Sequence, residues 1–461
     1  MSILEKTIEY LNPEWALDRQ KARHRLNRNY EAASRGPRLS GWIGTNTTNP
    51  SDMDLKTIRE RARYLEQNNP YASTTVRALT NYIVGKGIKP HTDDKETESI
   101  LKSWADTLDC DADECLNLYG IQALALRHLI VDGEVFIQKV IDRKSKVPLK
   151  LKVLEADYLA DSPSKNVVRG IEYDKHGKRV AYYFYESHPQ SEVGFKQASK
   201  IKRVPASQII HLFFKKRASQ SRGVSLLAPI MIRLKTFDEF EDAELVRQRN
   251  AASYVGFYRS LDGADFLGGD EGEGKQTEIS PGSIFSAPSG ETLEFNQPPQ
   301  VSSYAPYSES TKHTLAIGAG IPYFLLSGDF SKANFSNARM SMLTFYRHVD
   351  QFTEHVMIPL LCRKIENWLA EALYLKGYKI PRLEWVAPKK EFTDPIKEIE
   401  AYKMAVEEGF IPHSQVIREM GDDPEDTYQE IYKLDEQFKK DKAHFRQPRK
   451  DEIEATFKTD E

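Results

Sequence analysis

The 461-residue sequence contains little cysteine: its three cysteines are Cys110, Cys115 and Cys362. Three thiols cannot cross-link a fold of this size, and such low usage is typical of a reducing compartment. Cys110 and Cys115 lie close together, but no second Cys or His pair is nearby to complete a tetrahedral zinc site. We therefore interpret all three as structural thiols and expect no metal site.

Long apolar segments are also absent. No run approaches the 18 or so apolar residues that a membrane-spanning helix needs. The first residues include Glu5 and Glu9 and lack the basic-then-apolar order of a signal peptide. We expect a soluble protein that is not exported by that route and makes no membrane contact.

The charge balance lacks a basic excess. The chain has 65 Lys and Arg against 68 Asp and Glu, which gives a formal net charge of -3. Proteins that hold duplex DNA by neutralising its phosphates normally carry a clear basic excess. Residues 16–38 are a basic exception, which we interpret as a solvated helix face or flexible arm, with a nucleic-acid contact as the alternative.

A convincing catalytic motif is missing as well. Residues 269–277, GDEGEGKQT, fit the phosphate-loop pattern until Gln276, which stands where Ser or Thr must hold magnesium. His348 and His355 are seven residues apart on a predicted helix and share a face, without an evident third metal ligand. His211, in IIHLFF, is predicted to be a buried core histidine. We expect neither an enzyme nor a cofactor.

Up to residue 225, helical and strand-like patterns alternate. DLKTIRERARYL has apolar residues at helical spacing, and the next helix is predicted to stop at Gly85 and Gly87. GEVFIQKVID, LKLKVLEADYLA and ASQIIHLFF favour strands, and GIEYDKHGKRVAYYFYES favours a hairpin that turns at Lys175-His176-Gly177. These residues predict a mixed α and β unit.

Residues 226–253 predict one long helix, with Pro229 in its first turn. Its apolar side is predicted to carry Ile230, Leu234, Phe237, Phe240 and Leu245. The opposite side is predicted to be an acidic face formed by Asp238, Glu239, Glu241, Asp242 and Glu244. Two short strands around a Gly-rich acidic loop follow, and then a short helix that ends at Gly320.

The segment LLSGDFSKANFSNARMSML then predicts a polar loop of about fifteen residues, a length that in a compact chain is usually functional or disordered. Phe330 and Phe335 are predicted to be exposed in it, together with the single Lys332. A helix of nearly forty residues follows, and Pro359 inside it predicts a kink. A last helical region is predicted to begin at Asp394-Pro395, and the charged tail after Phe438 is predicted to be disordered.

Four segments in this order resemble the portal proteins of tailed bacteriophages, and in detail the lambda-type family. They are RERARYLEQNNPYASTTVRALTNYIVGKGIKP, VPASQIIHLFFKKRASQSRGVSLLAPIMIRL, GIPYFLLSGDFSKANFSNARMSMLTFYR and EGFIPHSQVIREMGDDPEDTYQEI. One such segment alone would be a weak signal, but four in the family's order are a strong one.

The resemblance implies an α+β, mainly helical, portal-like fold. Its parts would be an N-terminal segment and α/β wing (1–225), a stem helix (226–253), a β-containing clip (254–307), a second stem helix (308–321), a tunnel loop (322–337), a kinked wing helix and wing end (338–393), a helical crown (394–438) and a charged tail (439–461). Such a protein would form a closed ring of about twelve subunits at one capsid vertex. Double-stranded DNA would pass through it without sequence specificity.

The same resemblance implies docking of the large terminase and of capsid and head-completion proteins. It places the protein in the virion, and in the host cytoplasm during assembly. A head-tail adaptor without DNA passage and, as a further alternative, a nucleic-acid-processing hydrolase remain open.

By resemblance, the loop faces the DNA channel with Ser327, Asp329, Phe330, Ser331, Lys332, Asn334, Phe335, Ser336 and Asn337. Short polar side chains can exchange hydrogen bonds with phosphates or water without a fixed register. A basic wall would be adhesive because it releases counterions from DNA, whereas polar loops and acidic stem faces would let DNA slide. The alternative is a loop that makes no DNA contact.

Overall fold

The chain divides into two units, residues 1–50 and 51–461. The computed structural model describes residues 51–92, 94–160, 166–189, 200–252, 256–260, 291–295, 304–331, 334–378, 383–390, 395–420 and 424–440, all of them in the second unit. The predictions for the basic segment 16–38, for residues 269–277, for most of the clip and for the tail beyond residue 440 lie outside the described residues.

The described helices, numbered in chain order, are α1 (Asp52–Asn68), α2 (Pro70–Ile83), α3 (Lys95–Asp106), α4 (Leu118–Val131), α5 (Met231–Ala252), α6 (Tyr304–Ala319), α7 (Tyr323–Ser327), α8 (Phe335–Phe352), α9 (Arg363–Leu375), α10 (Pro395–Glu407), α11 (His413–Glu419) and α12 (Pro424–Lys440). A π-helical segment, Thr353–Cys362, joins α8 to α9. Among the described residues, none of these helices has both the length and the apolar character needed to cross a membrane.

The strands are β1 (Lys89–His91), β2 (Glu134–Val140), β3 (Lys150–Glu155), β4 (Val167–Val168), β5 (Ile171–Tyr173), β6 (Arg179–Tyr185), β7 (Ile201–Pro205), β8 (Ile209–Phe213), β9 (Gly256–Ser260), β10 (Glu291–Phe295) and β11 (Glu384–Val386). They form antiparallel sheets in the orders β3-β2-β8 and β4-β5-β6-β7, and two-stranded sheets β1-β11 and β9-β10. The predicted hairpin around His176 is confirmed, because β5 pairs with β6 across that turn.

Asparagine side chains explain where two of the helices begin. Asn69 ends α1, and its Oδ1 accepts the N–H groups of Tyr71 and Ala72, both at 3.1 Å, while Pro70 occupies the first position of α2. The sequence Asn68-Asn69-Pro70 therefore separates two helices: Asn69 caps the second helix, and Pro70 has no N–H that would need an acceptor in its first turn. Asn334 caps α8 in the same way, accepting from the N–H of Asn337 at 2.8 Å.

The main core joins the first and second halves of the described chain. Helices α2 and α4 and the sheet β3-β2-β8 pack with buried residues of α5, α6, α8, the π-helical segment and α9. Trp368 of α9 donates from its indole nitrogen to the carbonyl of Ser207 at 2.9 Å, and β11 pairs with β1. A smaller core fills the space between β2 and β6, around Phe136, Tyr182 and Phe184.

Three predicted features need correction. The long helix begins at Met231, not at residue 226, so Pro229 precedes it, and Leu245 is exposed instead of lying on its apolar side. The predicted fifteen-residue loop contains helix α7 and the first turn of α8. The sequence pattern also places Leu360 on the apolar stripe of the long helix around Pro359, but the helix is π-helical there and Leu360 is exposed.

Candidate DNA-channel surface

Helices α5 and α6, which the resemblance assigns to the stem, contact each other through aromatic rings. Phe240 of α5 stacks on Tyr304 with ring centroids 5.9 Å apart and meets Tyr307 edge-on at 4.6 Å. Near the other end of α6, a methyl group added at Gly318 would lie 2.4 Å from Cγ2 of Ile230. The backbone of α6 therefore approaches the start of α5 at a distance that a larger residue would not permit.

Tyr71 joins both of these helices to the body of the protein. Its ring centroid lies 5.6 Å from that of Phe237, and the ammonium group of Lys312 lies 5.6 Å from the Tyr71 ring centroid. The hydroxyls of Tyr71 and Tyr304 both donate long hydrogen bonds to Oε1 of Glu241, at 3.5 Å and 3.4 Å. Burial, together with the Glu241 charge, raises the pKa of Tyr71 to about 12, so the hydroxyl remains a donor at neutral pH.

The five carboxylates of α5 do not share one face. Three of them are exposed: Asp238, Glu239 and Asp242. Glu241 is half-buried against Tyr71, and Glu244 is buried and accepts from Nε of Arg247 at 2.8 Å. The prediction of one acidic face is wrong for these two, because Glu241 and Glu244 follow Phe237 at positions i+4 and i+7 and so fall on the inner stripe.

The connection between α7 and α8 is residues 328–334, and residues 332 and 333, including Lys332, lie outside the described residues. Gly328 ends α7 with φ 70°, and its N–H donates to the carbonyl of Phe324 at 2.9 Å. This left-handed conformation suits glycine because it has no Cβ. Helix α7 is held against α6 by Tyr323, whose ring stacks on His313 at 3.9 Å.

Several of the polar loop side chains form local hydrogen bonds. The Ser327 hydroxyl donates to the Tyr323 carbonyl at 2.9 Å and accepts the N–H of Asp329 at 3.1 Å. Oδ1 of Asp329 accepts the N–H of Ser331 at 2.9 Å, and the Asn334 side chain caps α8. These local hydrogen bonds stabilise the loop. The prediction that all of its polar side chains are free to bind phosphates therefore needs correction, because Ser327 and Asn334 already have backbone partners.

The exposed members of the predicted site are Phe330, Ser331, Asn334, Ser336 and Asn337. Phe330 is 60% exposed and contacts Phe324 with ring centroids 5.3 Å apart. Phe335, Ser336 and Asn337 form the first turn of α8. The structure does not describe the side chain of Phe335. The exposed residues thus lie in the connection between α7 and α8 and in the first turn of α8, while their contact with DNA stays a prediction.

The model of the family described as "Phage portal protein, lambda family" matches residues 35–352, which is more than half of the chain. The chain belongs to this family. The matched region contains α5, α6, α7 and the loop, so the elements described above are those that the family shares. The suspected resemblance is confirmed.

Curated relatives agree with this assignment. A probable portal protein of Halomonas phage phiHAP-1 is 25% identical over 457 residues, covering 90% of this chain and 88% of that protein. Portal protein B of Escherichia phage lambda is 20% identical over 443 residues, covering 81% of each chain.

Solved structures support the fold. A chain in the neck of the native gene transfer agent particle, computed with C12 symmetry, has a TM-score of 0.50 and 16% identity, covering 84% of this chain and 98% of that one. A chain in the virion of the same native particle reaches 0.51 at the same identity and coverage. The expected α+β, mainly helical portal-like fold is confirmed, and its division into wing, clip and crown stays a prediction.

Two of the four segments that carried the resemblance meet at a buried carboxylate in this portal protein. Glu134, the first residue of β2, is 0% exposed. Nε of Arg222, in the Arg-Gly-Val-Ser segment, donates to its Oε1 at 2.8 Å, and the N–H of Gly223 donates to its Oε2 at 2.9 Å. Nε2 of His211 lies 3.0 Å from the same Oε2. A Cβ at Gly223 would meet the Gly133 carbonyl oxygen at 2.0 Å, so only glycine fits there.

The Arg-rich helix α1 adds two more cations to this group. Arg59 lies 3.7 Å from Glu134 and 2.8 Å from Asp157. Arg63 bridges Asp132 at 2.7 Å and Glu155 at 2.9 Å. The motif residues therefore fix the segment that leads into α5 against α1 and β2, and they serve the fold and not the channel wall.

The protonation states of Glu134 and His211 follow from their neighbours. Burial opposes ionisation of Glu134, but the Arg222 charge and the hydrogen bonds from His211 and Arg222 outweigh it and hold the pKa of that carboxyl well below its usual range. Burial lowers the pKa of His211 to about 4, despite the hydrogen bond to Glu134. Arg179 can only donate, so Nδ1 of His211 accepts from it at 3.3 Å and the proton sits on Nε2. The predicted buried core histidine is confirmed.

His211 predicts a specific pH dependence of stability. Below about pH 6.5 the unfolded chain protonates this imidazole, whereas the folded chain does not until about pH 4. Stability is therefore lost as pH falls through this window, by about 3 kcal/mol in total. His211→Gln keeps one donor and one acceptor but cannot titrate, so we expect its melting temperature to fall less between pH 7 and pH 4. The exposed His176→Gln is the control and should follow the wild-type profile; parallel profiles for all three proteins would contradict the assignment.

Other candidate ligands do not suggest a metal centre. Cys110 and Cys362 are buried and Cys115 is exposed, all as free thiols. Within the described ranges, the one group of three potential ligands is Glu155, Asp157 and His188, and Arg63 is paired with both carboxylates. A guanidinium already occupies the position that a cation would take.

Proposed function

We propose that this chain forms a closed ring of about twelve copies at one capsid vertex, through which double-stranded DNA is packaged and ejected. The observation that carries the proposal is the match of the lambda portal family across both stem-like helices and the loop. The C12 symmetry with which the gene transfer agent neck was computed supports the copy number. The proposed partners are the large terminase and capsid and head-completion proteins, in the virion and, during assembly, in the host cytoplasm.

Exposed apolar side chains support assembly with further copies. Ile317 of α6 is 81% exposed and Met340 of α8 is 67% exposed, and both line an open groove of about 760 Å³ that also contains Arg347. Ile232 of α5 is 80% exposed. Large apolar side chains in a groove mark interaction surfaces, and a ring contact covers a different patch on each of two neighbours. We assign this groove to the subunit contact.

The exposed carboxylates Asp238, Glu239 and Asp242 are proposed to face DNA. Like charges on the wall and on the phosphates would prevent the counterion release that makes protein surfaces adhere to DNA. The loop beside α6 would contact DNA through Phe330 and the polar side chains that the local turns leave exposed. The result is a channel wall that guides DNA without holding it.

Charge reversal tests this role of α5. Glu239→Lys with Asp242→Lys should leave ring formation intact, because both side chains are exposed, but should slow DNA packaging by the intact motor and make DNA release more salt-dependent. The matched control is Glu407→Lys with Glu408→Lys, at the last residue of α10 and the residue after it. Glu239 and Glu407 each pair with a lysine four residues earlier on an exposed helix face. Equal packaging rates in both variants would contradict a DNA-facing α5.

A further inference from the structure

Four lysines from two distant segments surround one pocket. The pocket has a volume of about 750 Å³, and its basic lining residues are Lys86, Lys89, Lys389 and Lys390. The first two belong to the VGKGIKP segment between α2 and β1, and the other two follow β11. The pairing of β1 with β11, in which Lys89 lies opposite Val386, brings the two segments together. All four lysines are exposed.

Among the described lining residues of this pocket, lysines outnumber carboxylates. Among the described lining residues the one carboxylate is Asp350, and Nζ of Lys390 pairs with it at 2.5 Å. In the part of the chain that the structure describes, neither Lys86 nor Lys89 forms an ion pair with a carboxylate. Two uncompensated ammonium groups therefore stand at the rim of a concave surface. The chain carries this local positive field although its formal net charge is -3.

The backbone holds Lys86 at that rim. Gly85 and Gly87, on either side of it, have φ values of 48° and 106°. A Cβ at Gly87 would lie 2.2 Å from the Tyr119 ring. This turn is thus built from two positions that other residues fit poorly, with the lysine exposed between them.

The chemistry of the lining suits a phosphate ligand. Lysine ammonium groups on flexible stems bind phosphate oxygens as point charges. The described lining residues include four lysines and no arginine.

We propose that this pocket binds the phosphodiester backbone of duplex DNA outside the channel. Its described lining residues include none from α5, α6 or the loop, so it is a second DNA contact, separate from the proposed channel wall. The inference goes beyond the proposed function and does not depend on DNA threading the ring.

A covalently closed circular duplex isolates this contact, because a closed circle cannot thread a closed ring. We expect Lys86→Gln with Lys89→Gln to weaken binding of the purified protein to such circles and to lower the slope of log affinity against log salt by about 2 for each subunit engaged. The control is Lys175→Gln with Lys178→Gln, which removes the same charge from an exposed hairpin turn and should leave both quantities unchanged.

Two results would overturn the inference. One is a Lys86/Lys89 variant that binds circles with wild-type affinity and wild-type salt slope. The other is poly-glutamate displacing the circles as efficiently as free duplex of equal charge, which would assign the pocket to acidic peptides. Failure of the chain to form rings would contradict the proposed function alone, since binding of circles can still be compared between variants of the unassembled subunit.

Discussion

Glu134→Ala is expected to lower the free energy of unfolding by about 3–5 kcal/mol, because removing one partner leaves buried charges uncompensated. Arg222 and the Nε2–H of His211 would lose their shared acceptor, and Arg59 would lose a carboxylate 3.7 Å away, at a site where the Glu134 side chain is fully buried. The segment that leads into α5 would lose its anchor at the same time. We expect few or no rings from this variant and a sharply lower melting temperature.

Glu172→Ala is the matched control. Glu172 also binds an arginine with two hydrogen bonds, to Nε and to a terminal nitrogen of Arg203 at 2.7 Å and 3.0 Å, but Arg203 is 46% exposed. Surface pairs of this kind contribute about 0–1 kcal/mol, so the control should melt close to the wild type. If thermal unfolding shows equal losses for the two variants, the network around Glu134 does not have the stabilising role assigned to it.

Replacing Asp329, Phe330 and Ser331 with glycine is expected to leave rings and heads in normal number while DNA held per head falls severalfold. These residues bury little area: Phe330 is 60% exposed, and Asp329 and Ser331 are joined by one local hydrogen bond. Loops with small polar residues tolerate change thermodynamically. The replacement keeps Gly328 and Asn334, which end α7 and cap α8, so the flanking helices should persist.

An equivalent change elsewhere separates loop function from general damage. Asp174 holds the hairpin turn by accepting the N–H groups of His176 and Lys178, both at 2.8 Å. Asp174→Gly with His176→Gly removes a similar exposed turn far along the chain from the loop, and it should affect neither head number nor DNA content. Microscopy of heads and measurement of DNA per head give both readouts. Loss of rings from the loop variant alone would show that the loop is a subunit contact.

Local pattern predicted most helices and strands because each carries its own apolar repeat. Helix α7 was missed because YFLLS is five residues long, too short to show a period. In the sequence, Asn334 is indistinguishable from the other polar loop residues, because a cap can be recognised only when the start of the following helix is known. The predicted acidic face is too large because Glu241 and Glu244 fall on the buried stripe of α5, which the charge pattern alone does not show.

Interactions between distant residues could not be read from the sequence. Glu134 and Arg222 are separated by 88 positions, and no local signal pairs them. The same holds for β1 with β11, which creates the lysine pocket. The resemblance did identify the segments concerned, since α1, β8 and the segment with Arg222 all meet at Glu134. The resemblance did not indicate that these motif residues stabilise the fold. The candidate channel residues lie in other segments.

Imaging of DNA-filled heads by electron cryomicroscopy without imposed symmetry tests the central claim most directly. We expect a closed ring of about twelve copies at a single vertex. Duplex density should fill its bore, with Asp238, Glu239 and Asp242 and the loop at Phe330 lining the wall. A ring whose bore is too narrow for duplex DNA, or a vertex at which this chain forms no closed ring, would contradict it.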